Sequence, residues 1–163
     1  AAEGATIPFI GQLRTEHILI GMLLLGPVAA KLLSTGYRFA RYYLGSPAYV
    51  SKGPPQIALR VLAPGVVFTT VALFGTGVAL LLVGRNDQLD FLHKASFIAW
   101  FALMTIHVLG HILELPGPAF ADWRRTVSPR LGGAGLRRAA VVAALAIGVG
   151  LALLSFSAAG SWG

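Results

Sequence analysis

The chain contains no cysteine. Disulfides, thiolate metal sites, iron–sulfur clusters, c-type haem attachment and cysteine nucleophiles are therefore excluded within it. Charge is also scarce. Only 12% of the 163 residues are Asp, Glu, Lys or Arg, about half the roughly 25% of a soluble domain. That composition argues against a water-soluble globular domain, and the 56% hydrophobic content excludes a disordered chain. There is no phosphate-binding glycine loop, no Ser–His–Asp arrangement and no metal-hydrolase motif.

What the chain does have is long apolar runs. A membrane span needs ~20 mostly apolar residues. Four stretches qualify, at about 17–35, 61–83, 91–115 and 139–156. Lipid offers no partner to an exposed backbone group, so each span is predicted to be helical. The expected fold is all-α: one four-helix membrane domain over residues 1–163, surrounded by lipid.

The loops divide by charge. The loop 36–60 holds Arg38, Arg41, Lys52 and Arg60 with no acid, and the loop 116–138 holds Arg124, Arg125, Arg130, Arg137 and Arg138 against Asp122. Nine of the thirteen Lys and Arg residues thus fall in two loops on one side. The positive-inside rule assigns that side to the cytoplasm and both termini to the outside. The net charge of +7 is then a matter of topology, and no nucleic-acid partner is expected. With the Ala, Gly, Leu and Arg content, the asymmetry suggests a bacterial cytoplasmic (inner) membrane. The start at Ala1-Ala2-Glu3, without Met, fits a processed N-terminus or a removed outward-directed signal.

The loop 36–60 also carries Tyr37, Tyr42, Tyr43 and Tyr49. An interfacial aromatic belt with snorkelling arginines is one explanation. A docking surface or a quinone-site wall is the other. In the fourth span Ala140, Ala144, Gly148 and Ala152 recur every four residues, a small-residue ridge suited to close helix packing.

All four histidines lie in or at the ends of spans, where ionisable residues are costly and point to function. His17 opens the first span. His93, His107 and His111 lie on the third, where His93, Phe97, Trp100, Met104, His107, His111 and Glu114 share one helix face by their steps of three and four. The first span has a matching face with His17, Gly21, Leu24, Val28 and Lys31. His17 and His93 stand at the same end of two parallel spans. Such a pair can ligate one b-type haem, each imidazole giving a neutral nitrogen to iron. Gly21 would let the macrocycle lie against the backbone, and Arg14, Arg85 and Lys94 could pair with its propionates. Gly75 and Gly77 are candidates for close packing on the second span. A small ion at the histidine pair, or hydrogen-bonded packing, would use the same residues. His107, His111 and Glu114 are candidates for a second haem, a quinone or proton site, or packing. His107 lies ~21 Å along the axis from His93.

The third span, LHKASFIAWFALMTIHVLGH, resembles the last ligand-bearing helix of bacterial transmembrane b-type cytochromes, the membrane subunits of nickel-iron hydrogenases and formate dehydrogenases. That helix carries two histidines about fourteen residues apart, matched by His93 and His107. The first span resembles the family's second helix at His17 and Gly21, and Thr76-Gly77 resembles its third. The family's first helix, which supplies the haem ligand paired with the residue matching His107, has no counterpart here. The resemblance therefore implies a one-haem form that keeps the His17/His93 site and adds a fourth span.

The expected function is a membrane-anchored haem b electron-transfer subunit, itself non-catalytic. It would link an extracytoplasmic redox partner to the quinone pool or a respiratory complex. The competing expectation is a haem-free structural or assembly subunit of a larger membrane complex.

Overall fold

A computed structural model describes residues 2–51, 57–114 and 134–161. Every regular element among them is helical. Helix α1 (Ala2–Thr6) leads through a single 3-10 turn into α2 (Arg14–Tyr43). A one-turn helix α3 (Pro47–Val50) follows, then α4 (Ile57–Val83), α5 (Asp87–Glu114), α6 (Ala134–Leu154) and the short α7 (Phe156–Gly160).

Among the described residues, three segments are long and apolar enough to cross a membrane: Arg14–Tyr43, Leu59–Val83 and Asp87–Gly110. The apolar part of α6, Arg138–Leu154, is shorter. The burial pattern is the inverse of a water-soluble bundle. Large apolar side chains such as Phe68, Ile98 and Leu154 are exposed, whereas the only buried hydrophobic residues among those described are Leu59, Ala144 and Ala159. An outward apolar surface of this extent belongs in lipid or against other membrane helices, as in a multi-pass membrane protein.

The long helices pack as two antiparallel pairs, α4 with α5 and α2 with α6, with slight contact between α2 and α4. The α4–α5 turn follows from three residues. Gly84 takes a left-handed φ of 90° and its N–H reaches the Leu80 carbonyl at 2.9 Å, the single-bond glycine ending of a helix. Asn86 then caps α5, its Oδ1 accepting from the Leu89 N–H at 3.0 Å. Along the pair, Trp100 Nε1 donates to Thr70 Oγ1 at 3.0 Å. The Thr70 hydroxyl in turn donates to the Val66 carbonyl at 2.7 Å.

The α2–α6 pair crosses backbone to backbone at two glycines. A Cβ built on Gly26 would lie 2.0 Å from the Ala144 carbonyl oxygen, and one built on Gly148 would lie 2.1 Å from the Leu23 carbonyl oxygen. Pro27 lies inside α2 and brings no N–H to the Leu23 carbonyl four residues before it. That carbonyl is the one turned toward Gly148. The small-residue ridge of α6 is thus used within the chain, with Ala144 and Gly148 buried against α2. Farther along, Thr15 Oγ1 donates to the Ala159 carbonyl at 3.3 Å, so α7 lies beside the start of α2.

The first span departs from expectation. It does not give way to a loop at Gly36: α2 continues to Tyr43. Residues 37–44 contain neither Gly nor Pro, and the stop comes at Gly45, with φ 75°. There the Ser46 N–H bonds the Arg41 carbonyl at 3.0 Å and the Gly45 N–H bonds the Tyr42 carbonyl at 3.1 Å. This doubly bonded helix end precedes Pro47, which cannot continue the helix. Most of the Tyr/Arg segment is therefore helical. Gly75 also departs from expectation: it is exposed and a Cβ there would meet nothing within 4 Å. Lys52, Arg124, Arg125 and Arg130 lie outside the described residues.

Candidate functional site

His17 sits in the first turn of α2 and His93 in the second turn of α5. Both are half-buried. Their rings meet between the two helix pairs, with centroids 6.3 Å apart and planes at 85°.

Each ring is held through Nδ1. His93 Nδ1 lies 3.1 Å from the Leu73 carbonyl oxygen and 3.1 Å from Thr76 Oγ1. The Thr76 hydroxyl donates to the Ala72 carbonyl at 2.7 Å, so toward His93 its oxygen accepts. Two acceptors at Nδ1 assign the proton of the neutral ring to that nitrogen and leave the Nε2 lone pair as the ligating position. Gly77 makes the approach feasible. A Cβ there would lie 3.1 Å from His93 Cε1, so a larger residue would push the ring away from the Leu73 carbonyl. On the other side, His17 Nδ1 and the Thr6 hydroxyl share a hydrogen bond of 2.8 Å. Thr6 is only 5% exposed, so α1 serves to bury a hydroxyl against this ring. Such partners on the far nitrogen fix orientation and basicity in histidine ligands.

The other residues named from the sequence are distributed around this pair. Gly21 is half-buried one turn along α2, and Arg14 is half-buried in its first turn. Arg85 is exposed, next to Gly84 at the α4–α5 turn. Lys94 is exposed, and its ammonium is ion-paired with Asp90 on its own helix. Phe97, Trp100, Met104 and His107 lie half-buried along the same side of α5 as His93, while Phe101 and Ile106 between them are exposed. His107 lies nearly four turns from His93 and does not join the His17/His93 contact. His111 and Glu114 belong to the last turn of α5, and their side chains lie outside the described residues.

Thr6 and the Leu73 carbonyl escaped sequence reasoning. A hydroxyl eleven residues before His17 and a backbone oxygen twenty residues before His93 carry no signal in a linear pattern. Only the packing of α1 on α2 and of α4 on α5 brings them to the rings.

Among the described residues, no group of three or more His, Asp, Glu or Cys side chains converges as a metal-ion site. The arrangement offers two imidazole rings, one from each helix pair, that meet at one place. No protein-family model, no curated protein and no solved structure matches this chain.

Proposed function

We propose that this chain is a membrane-anchored electron-transfer subunit that holds one b-type haem between His17 and His93. The observation that carries the proposal is the spacing and anchoring of these two rings. An imidazole nitrogen bonds a first-row metal at ~2.0–2.1 Å. Nitrogen donors at that distance, with roughly 1 Å from each nitrogen to its ring centre, would let one iron be held by two rings whose centroids are about 6 Å apart. The rings here are 6.3 Å apart. A small ion such as zinc would want three or four protein ligands, whereas a haem takes two and brings the rest of its coordination with it.

A haem bound in this way supplies reversible one-electron exchange. The chain's own residues supply the setting. His17 and His93 would hold the haem through their imidazole nitrogens. Thr6, Thr76 and the Leu73 carbonyl hold the rings in orientation, and Gly77 leaves room for the His93 ring beside α4. Arg14, at the same end of the bundle, is the cation best located for a propionate. Lipid and the half-buried apolar side of α5 keep the site dry, one of the factors that set a reduction potential.

The full proposal includes a fourth span by α6, both termini outside, and residence in a bacterial cytoplasmic membrane. The antiparallel run of α6 and α7 along α2, as far as the Thr15–Ala159 contact, supports a fourth helix crossing the same thickness. Its partners would be an extracytoplasmic redox subunit and, on the other side of the transfer, quinone or a respiratory complex. The resemblance to the membrane cytochromes of hydrogenases and formate dehydrogenases supports the same function.

The competing function, a haem-free structural subunit, draws on the broad exposed apolar surface. A dithionite-reduced minus oxidised visible spectrum of the purified chain, with haem measured per chain, separates the two. One b-type haem per chain is expected, lost in both His17→Ala and His93→Ala while the helical signal persists. A protein purified intact with its native partners and showing no haem would refute the proposal in favour of a structural subunit.

A further inference from the structure

A second feature lies at the opposite end of α2 and is independent of the histidine pair. Helix α2 has 30 residues, about 45 Å of rise, against a hydrocarbon layer of ~30 Å. Its last turns therefore emerge from the hydrocarbon into the headgroup layer. Those turns carry Arg38 and Arg41, three apart and so on one face. Lys31 lies two turns below Arg38. Arg60, in the first turn of α4, has its guanidinium carbon 5.0 Å from the centre of the Tyr43 ring, which joins the end of α2 to the start of α4. Tyr43 is itself packed by Phe39 at 4.4 Å and Tyr42 at 5.3 Å, and Tyr49 of α3 meets Tyr37 at 6.3 Å.

All four cations are exposed, and the sequence has no Asp or Glu from residue 17 to residue 86. The collar thus has a positive field with no carboxylate of its own segment to answer it. On the side of α2 that carries Arg38 and Arg41 stand the exposed Leu33 at 74% and Tyr37 at 59%. Guanidinium forks suit a phosphodiester. Apolar neighbours at the same level suit the upper part of an acyl chain, which a soluble acidic partner would not provide.

We propose that this collar binds the headgroup phosphate of an anionic phospholipid, with Arg38 and Arg41 as the phosphate contacts and Leu33 and Tyr37, on the same side of α2, against the acyl chain. The test is native mass spectrometry of the full chain in detergent, offered equimolar phosphatidylglycerol and phosphatidylcholine with the same acyl chains. Retention of phosphatidylglycerol is expected to exceed that of phosphatidylcholine at least tenfold. Each arginine near an anionic surface contributes roughly fivefold, so Arg38→Gln with Arg41→Gln should remove most of the preference, and the two lysine replacements should keep most of it. Equal retention of the two lipids by the wild-type chain overturns the proposal, whether or not the glutamine variant folds. So does loss of the preference in millimolar inorganic phosphate, which would make the site one for a free anion.

Discussion

The α2–α6 crossing gives the sharpest structural prediction. Replacing Gly148 by Ala sets a methyl 2.1 Å from the Leu23 carbonyl oxygen and 3.4 Å from Pro27 Cδ. Replacing Gly26 by Ala sets one 2.0 Å from the Ala144 carbonyl oxygen and 2.8 Å from the Gly148 nitrogen. Carbon and oxygen settle at ~3.3–3.6 Å when they touch, so either methyl forces the helices apart by more than about 1 Å. The obstacles are backbone atoms, which no rotamer change can move aside. Overpacking of this kind costs about 1–3 kcal/mol. The two substitutions act on one crossing. Once the first has separated the helices, the second meets space already opened, so the double variant should cost clearly less than the sum. Unfolding of the chain in mixed micelles under increasing denaturing detergent, followed by circular dichroism, measures all three. Gly75→Ala, where nothing lies within 4 Å, is the control and should stay within about 0.5 kcal/mol of wild type. A Gly148→Ala chain as stable as the control, or a strictly additive double variant, would refute the close crossing.

Three further predictions rest on single contacts. Asn86→Ala removes the cap on the Leu89 N–H and should lower stability by about 1 kcal/mol, with faster amide exchange confined to the first turn of α5. Thr70→Val takes the acceptor from Trp100 Nε1; unfolding should show a loss of about 0.6–2 kcal/mol, and Trp100 fluorescence should shift. Gly77→Val crowds His93 at Cε1 and disturbs the bond to the Leu73 carbonyl; haem per chain in subsaturating haem should fall roughly 10- to 100-fold while the helical signal is kept, and unchanged haem binding would remove Gly77 and Leu73 from the site.

Much of the local structure was legible in the sequence because lipid simplifies the problem. A backbone that finds no water must bond to itself, so long apolar runs become helices. The phase of α5 was legible for the same kind of reason. Steps of three and four put His93, Phe97, Trp100, Met104 and His107 on one side, and all five are half-buried. Boundaries were less legible. The charge and tyrosines after Gly36 suggested a loop, yet a helix is ended by backbone conformation, and the first residue that supplies a left-handed turn is Gly45.

Helix pairing was decided only in three dimensions. The ridge of Ala144 and Gly148 fits any close neighbour. That the neighbour is α2 depends on Gly26 and on a carbonyl whose usual partner Pro27 cannot supply, two features that mean little until the helices are side by side. The histidine pair divides in the same way. Sequence put His17 and His93 near the starts of their helices. Their separation of 6.3 Å, and the anchoring of each ring by Thr6 or by the Leu73 carbonyl, arise from contacts between segments. Periodicity along one chain carries no information about the distance between two helices, and that distance is set by which backbones can approach.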